Sequence, residues 1–257
     1  MTFLEAVGLG ALQGVTEFLP ISSKGHLVLA QNLLGFSEPP LPFDIFLHVG
    51  SLAAILVFFW REVWSVFTTR RRLILPLVVG TIPAFVVYVL LKARLESLFE
   101  NPVAVGFGLL LTGTVLWVGE RMATETRSLG DVRAGDGFWI GIAQAIALIP
   151  GVSRSGMTIT SGLASGLERS AAVAFSFLLG GVAIAGAMAV KAKALLKLSS
   201  EVGLAPLAGG FVASVVVSLA SLALLTLVVR RKCLFGFGIY CYVVGSAVLL
   251  AKLTGLW

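Results

Sequence analysis

Long uncharged apolar stretches alternate along this chain with short polar ones, and their lengths set the predicted elements. Leu73–Leu91, Val103–Val118, Ala171–Val190, Leu204–Val229 and Phe235–Leu250 each approach the length a helix needs to cross a bilayer core, roughly 20 residues. Ile45–Trp60 is a little shorter and equally uncharged. The pattern predicts spans at about 43–60, 73–92, 102–120, 169–190, 205–229 and 235–254. Between them lie an arginine-rich connection at 61–72, a short mixed one at 93–101 and a longer polar loop at 121–136. Ser37–Pro42 reads as a surface turn because of its prolines.

Two further apolar segments are broken. Phe3–Leu19 has a helical pattern but carries Glu5, Gln13, Thr16 and Glu17, and Pro20 ends it by removing a donor and crowding the preceding turn. The polar run Ser22-Ser23-Lys24-Gly25-His26 follows, and a second apolar helix ends near Gly35. The same order recurs later. Gly137–Ile149 is a short helix, Pro150 breaks it, Gly151-Val152-Ser153-Arg154-Ser155-Gly156 is polar, and Met157–Ser165 is helical again. Polar, non-helical backbone at membrane depth survives only where protein or a wet cavity shelters it, so each segment is expected to be a re-entrant hairpin of two half-helices.

Hairpin-plus-three-spans therefore occurs twice, in residues 1–121 and 137–257 of a single membrane domain. Gly10-Ala11-Leu12-Gln13 echoes Gly141-Ile142-Ala143-Gln144. Three crossings invert the second half relative to the first, and paired broken helices in an inverted repeat point to a site near the midplane. The expected fold is an all-α polytopic membrane protein with an inverted-topology repeat and six spans. Its hairpin tips should meet.

Composition agrees. Hydrophobic residues make up 58% of the 257 and charged residues only 12%, against about a quarter charged in soluble domains. The net charge of +6 is not read as nucleic-acid binding, because the aromatics do not interleave with the basic residues as a stacking platform requires. It sets orientation instead. If loop 61–72 is cytoplasmic, Arg61, Arg70, Arg71, Arg72, Arg121, Arg127, Arg133, Arg169, Arg230, Arg231 and Lys232 all lie inside. Lys92, Arg94, Lys191, Lys193, Lys197 and Lys252 lie outside, a bias in the expected direction. Both termini and the mouth of the first hairpin then face outward. No basic stretch precedes the first apolar run, so no cleaved signal is expected. Cys233 and Cys241 fit no metal or redox spacing and are read as packing.

The chemistry gathers at the two breaks. Gln13 and Glu17 share a helix face, as do Ser23 and His26. With Lys24 they crowd one small region, and a carboxylate in a membrane is a functional hypothesis by default. The second break supplies Arg154 between Ser153 and Ser155, with Thr158 a turn on. An arginine, hydroxyls and a helix N-terminus describe an oxyanion site that suits phosphate. Together the tips form a phosphoryl-transfer kit. Ser23 is the candidate nucleophile and His26 a base or acid, and direct attack by His26 stays open. Arg154 would stabilise charge on the phosphoryl oxygens. Glu17, with Gln13, would hold a divalent metal or position a proton. Ser22, Ser153, Ser155 and Thr158 are candidate phosphate ligands, with capping or packing as the competing reading for Ser22, Ser155, Thr158 and Thr160. His48 is read as structural, and Asp44 as a helix cap.

The run Gln13-Gly-Val-Thr-Glu17-Phe-Leu-Pro-Ile-Ser22-Ser23-Lys-Gly-His26 resembles the first signature of the bacterial undecaprenyl-diphosphate phosphatases, the bacitracin-resistance phosphatases. Pro150-Gly-Val-Ser153-Arg154-Ser155-Gly-Met-Thr158 resembles their second. The resemblance covers essentially the whole chain. It implies hydrolysis of undecaprenyl diphosphate to the monophosphate, which recycles the lipid carrier for peptidoglycan synthesis and confers resistance to bacitracin. It further implies a site on the outer side of the cytoplasmic (inner) membrane and a link to divalent cations, Mg or Ca. The residues carried over are Glu17, Ser23, His26, Ser153, Arg154 and Thr158. The first signature opens with Glu in some members; Gln13 stands here, and an amide carbonyl is a weaker metal ligand than a carboxylate. The expected partners are the polyprenyl diphosphate lipid and the bilayer, with no nucleic acid, and the chain could pair as a homodimer. Broken helices in an inverted repeat are also a transporter architecture, so a polyprenyl-phosphate transporter or flippase is the alternative.

Overall fold

Helices account for nearly all of the chain, and no strand forms among the described residues. The computed structural model describes residues 1–34, 41–99 and 101–255. In order these are α1 (Phe3–Phe18), α2 (Ser23–Leu34), α3 (Leu41–Phe58), α4 (Trp60–Phe67), α5 (Ile74–Phe99), α6 (Pro102–Met122), α7 (Ala134–Ile146), α8 (Arg154–Ala164), α9 (Arg169–Val202), α10 (Leu204–Arg230) and α11 (Leu234–Leu253). Short 3₁₀ turns at Arg71–Leu73 and Leu129–Asp131 precede α5 and α7.

Five of these helices are long and apolar enough to cross a membrane, and a sixth crossing results if α3 and α4 count as one bent span. That bend corrects the sequence-based boundaries. The expected span at 43–60 breaks at Phe59, and the chain turns by 78° into α4 within the stretch expected to be a plain connection. The reason lies in the pattern of Trp60–Phe67. Trp60, Trp64 and Phe67 are exposed while Val66 is buried, an amphipathic repeat that lies along a surface better than it spans. Two other helices outrun their apolar cores. α5 continues through the expected 93–101 connection to Phe99, and α9 runs past 190 to Val202. α8 starts at Arg154, three residues before the expected Met157. The proline turn at Ser37–Pro42 lies outside the described residues except for Leu41 and Pro42, which open α3. Asp44 sits inside that helix's first turn, not ahead of it as a cap.

Local chemistry accounts for several boundaries. α1 opens with a capping box in which Thr2 Oγ1 accepts from Glu5 N–H and Glu5 Oε2 from Thr2 N–H. Glu5 is thereby a cap and not part of the polar site. Asn101 caps α6 ahead of a proline at its first position.

Packing pairs the elements in a regular way. α1 lies along α10, α7 along α5, α6 along α11, and α3 crosses both α9 and α10. Each hairpin thus leans on the spans of the other half. Close approach depends on missing side chains. A Cβ on Gly10 would strike the backbone of Gly210, and Cβ atoms on Gly137 and Gly141 would strike that of Pro76 and Gly80. Without a hydrophobic drive between helices in lipid, such backbone-to-backbone contact supplies the dispersion energy that holds them. Cys241 is buried, in keeping with a packing role, whereas Cys233 is exposed just before α11.

The arginine-rich ends of α6, α9 and α10 are fastened by ion pairs. Arg169 is buried between Glu120 (2.6 Å) and Glu125 (2.9 Å), and Arg127 forms a two-pronged pair with Asp136 at 3.0 and 2.5 Å. Burial alone would raise the Asp136 carboxyl. Hydrogen bonds from Arg127 and from the Arg133 N–H outweigh it and hold the group below the usual aspartate range.

Candidate functional site

Both hairpin breaks are built by backbone that cannot continue a helix. α1 stops at Phe18, Pro20 follows, and Ser22 adopts a left-handed conformation at φ 72°, unusual for a residue with a side chain. From there Ser22 Oγ accepts from the Gly25 N–H (3.4 Å) at the start of α2. At the second break Gly151 has φ 81°, and a Cβ there would collide with the backbone of Val105. Only glycine satisfies both demands. Thr112 of α6 ties this turn down: its Oγ1 accepts from Ser153 N–H at 2.9 Å and lies 3.0 Å from the Gly151 carbonyl, to which it can donate.

Glu17 is the hub where the tips meet. It is 8% exposed and every partner is polar. Its Oε1 accepts from Arg154 Nη2 of the second hairpin. Its Oε2 accepts from Ser23 Oγ at 2.8 Å and from Gln13 Nε2 at 3.2 Å, and lies 3.5 Å from His48 Nε2. Lys24 is within electrostatic reach of the same carboxylate. One carboxylate thus faces the Arg154 guanidinium, the His48 imidazole and, at longer range, Lys24. Within this hydrogen-bonded cluster Gln13 Oε1 and Arg154 Nη1 are buried without a partner among the described residues. Buried groups left unsatisfied in this way call for a ligand or water.

Gly180 on α9 makes room for the guanidinium. A Cβ there would overlap Arg154 Nη1, and Phe177, one turn earlier, lies 5.9 Å beneath the guanidinium carbon. Arg154 is therefore threaded past a gap in α9 to reach Glu17.

The expected site residues divide. Gln13, Glu17, Ser23 and Arg154 come together as one hydrogen-bonded set. His26 stands beside it but turns elsewhere. Its Nδ1 is 2.8 Å from the Ser22 carbonyl and must carry the proton to donate there. Its Nε2 is 2.7 Å from the Tyr240 hydroxyl, whose ring stacks on the imidazole at 5.6 Å. The proton of Ser23 accordingly points to Glu17 and not to His26, although Ser23 and His26 share a helix face.

The four expected phosphate ligands are occupied within the protein. Ser22 and Ser153 cap α2 and α8, the latter by accepting from Gly156 N–H at 3.1 Å. Ser155 Oγ lies 3.2 Å from Ser153 Oγ and 3.4 Å from the Leu19 carbonyl. Thr158 Oγ1 is 2.8 Å from the Arg154 carbonyl and 2.5 Å from Ser176 Oγ. They shape the tips and bind one tip to the other.

Three residues that sequence reasoning passed over belong here. His48, read as structural, faces Glu17 because α3 crosses the hairpin; its Nδ1 is anchored to the Asp44 carbonyl at 2.7 Å, which leaves Nε2 for the site. Tyr240 and Gly180 lie in apolar spans far from either signature, and nothing in their local sequence marks them.

Metal ligation can be tested against these donors. Both oxygens of Glu17 are engaged, and among the described residues no group of three or more His, Cys, Asp and Glu is placed to hold an ion. Gln13 Oε1 is the acceptor left over. Hard cations take six or more oxygens, so most would have to come from a bound anion or water.

A helical fold with helices long enough to cross a bilayer and a buried polar centre between two broken hairpins defines a polytopic membrane protein with a charged internal site. The chain belongs to the bacitracin resistance protein BacA family, whose model matches residues 6–247. It is 41% identical to the undecaprenyl-diphosphatase of Moorella thermoacetica over 98% of this chain and 97% of that protein. It is 37% identical to the undecaprenyl-diphosphatase of Desulforapulum autotrophicum over 98% and 99%, and 36% identical to that of Methanosphaera stadtmanae over 99% and 99%.

Proposed function

We propose that this protein hydrolyses undecaprenyl diphosphate to undecaprenyl phosphate and inorganic phosphate. The observation that carries the reading is the junction Ser23–Glu17–Arg154, which places a hydroxyl, a proton acceptor and a guanidinium with a free N–H at one point between the hairpin tips. Family membership and near-full-length similarity to undecaprenyl-diphosphatases support the same substrate.

The geometry favours Ser23 as nucleophile. Its Oγ bonds to the terminal phosphorus while its proton passes to Glu17 Oε2. The bridging P–O bond breaks, and its electron pair leaves with undecaprenyl phosphate. Water then cleaves the phosphoserine, releasing phosphate and restoring the hydroxyl. Arg154 holds Glu17 ionised and offers Nη1 to the phosphoryl oxygens, where a preorganised donor acts most strongly. His26 Nε2 would take the proton of that water, its bond to Tyr240 giving way as it does so. A divalent cation, Mg or Ca, would supply charge neutralisation on the diphosphate, with Gln13 Oε1 as the protein ligand.

The two halves are read as inverted repeats, supported by the matching order of hairpin and long helices and by the exchanged packing of α1 on α10 and α7 on α5. The arginine-rich face is assigned to the cytoplasm and the mouth of α1 and α2 to the outer side of the cytoplasmic membrane, by the excess of positive charge.

The test is phosphate release by the purified, detergent-solubilised protein given undecaprenyl diphosphate, with and without chelator, beside Ser23→Ala. Catalytic release abolished in the variant, with an acid-stable phosphoserine trapped in the wild type, is the expected result. An acid-labile phosphohistidine would transfer the nucleophile to His26. No release from folded protein that still binds the lipid would sink the phosphatase reading in favour of a flippase. Loss of turnover with chelator, restored by Mg or Ca, would establish the cation.

A further inference from the structure

A second polar feature lies well away from the hairpin tips. A groove of about 640 Å³ opens where α5 and α7 begin, lined by Arg71, Arg72 and Arg133 and by Leu75, Pro76 and Val78. No carboxylate among the described residues pairs with any of the three arginines. Asp131 and Asp136 attract Arg133 electrostatically, while their hydrogen-bond partners are Ser128 and Arg127. Arg71 donates only to the Phe67 carbonyl. Arg71 and Arg72 thus line an apolar groove with no ion-pair partner among the described residues, and Arg133, which Asp131 and Asp136 also attract, lines it beside them.

The apolar lining does not stop at the groove. Leu75, Val78, Ile82, Phe85 and Val89 are all more than half exposed and recur at helical spacing, so they form one apolar stripe down the outside of α5. From Leu75 to Val89 the stripe descends roughly 21 Å at 1.5 Å per residue, comparable to an acyl chain in one leaflet. Trp60, Trp64 and Phe67 of α4, which ends four residues before Arg71, and Phe138 and Trp139 near the start of α7 are exposed, and such amphipathic rings mark the membrane–water boundary.

We propose that this groove binds an anionic phospholipid of the surrounding bilayer, its phosphate held by Arg71, Arg72 and Arg133 and one acyl chain lying on the α5 stripe. Planar guanidiniums match phosphate oxygens in pairs, and the charge and the apolar wall together select a lipid over a free anion. The site is independent of the hydrolytic reading, because it uses none of that reading's residues and lies on the arginine-rich face.

Native mass spectrometry of the detergent-purified protein, titrated separately with dioleoylphosphatidylglycerol and dioleoylphosphatidylcholine, tests it. The two lipids share their chains and differ in headgroup charge. The wild type is expected to retain phosphatidylglycerol at least tenfold more tightly. The triple variant R71Q/R72Q/R133Q should lose that preference while binding phosphatidylcholine as before, and R230Q/R231Q, which removes arginines on the same face outside the groove, should keep it. Should the triple variant fail to fold, R72Q and R133Q alone should each weaken phosphatidylglycerol binding by about fivefold, the worth of one near-surface cation. Equal retention of the two lipids by the wild type would overturn the proposal. So would an unchanged preference in the arginine variants, or an equal loss in R230Q/R231Q.

Discussion

Gly180→Ala tests the site through a single methyl group placed outside both signatures. The added Cβ would overlap Arg154 Nη1, and the atom that must yield is the far end of a flexible side chain, not backbone. The guanidinium should therefore swing off Glu17 while α9 stays in place. Helix propensity pulls the other way, since alanine is favoured over glycine by about 1 kcal/mol in a helix interior. Removing one preorganised donor from a developing oxyanion costs about 10²–10³ in kcat, or roughly 3–4 kcal/mol, and this is the loss expected for Gly180→Ala. Arg154→Ala should fall further and leave almost no turnover, because it also strands a buried carboxylate. The internal control is the next residue. A Cβ on Gly181 meets Leu52 and Ile55 at 3.5 and 3.7 Å, ordinary van der Waals contact, so Gly181→Ala should keep wild-type turnover. The assay is phosphate release by each purified variant beside its thermal unfolding midpoint, which should stay within a few degrees of wild type. Near-normal turnover in Gly180→Ala, or an equal defect in Gly181→Ala, would refute the claim that this gap positions Arg154.

Tyr240→Phe keeps the ring stack on His26 but removes the hydroxyl at Nε2; with one hydrogen bond worth about 1 kcal/mol, kcat should fall roughly five- to tenfold with KM unchanged, and a change in KM alone would exclude a positioning role. His48→Ala takes away the group opposite Glu17 Oε2 and should lower kcat by about tenfold without loss of folded protein, which steady-state kinetics and size-exclusion profiles together would check. Asp136 contributes stability through its depressed carboxyl, and a depressed carboxyl stabilises the fold above its unfolded pKa and loses that contribution as pH falls. The unfolding temperature should therefore drop below about pH 4, and Asp136→Asn should lower it at neutral pH while flattening that acid limb.

Much of this molecule was legible in the order of its residues because a bilayer imposes few choices. Apolar runs of span length must be helices, so the long helices α5, α6, α9, α10 and α11 follow from hydropathy alone. Pro20 and Pro150 must interrupt whatever they enter, so the two hairpins follow as well. Within them, Gln13 and Glu17, like Ser23 and His26, are neighbours by helical geometry, and the cost of an isolated charge at membrane depth marks Glu17 and Arg154 as functional candidates.

What remained was decided by contacts between elements distant in sequence. Ser23 and His26 share a face, yet Glu17 takes the serine's proton and Tyr240, 214 residues further along, takes the imidazole. His48 reads as one polar residue in an apolar span, and only the crossing of α3 over the first hairpin turns it toward Glu17. Gly180 is an ordinary membrane glycine until Arg154 is found beside it. The hydroxyls of Ser22, Ser153, Ser155 and Thr158 suit phosphate by chemistry, and each also has a partner within the protein, because a broken helix at membrane depth must satisfy its own donors and acceptors. Periodicity and spacing describe a helix to itself; which side chain faces which across two hairpins depends on the packing of whole helices, and no local rule contains it.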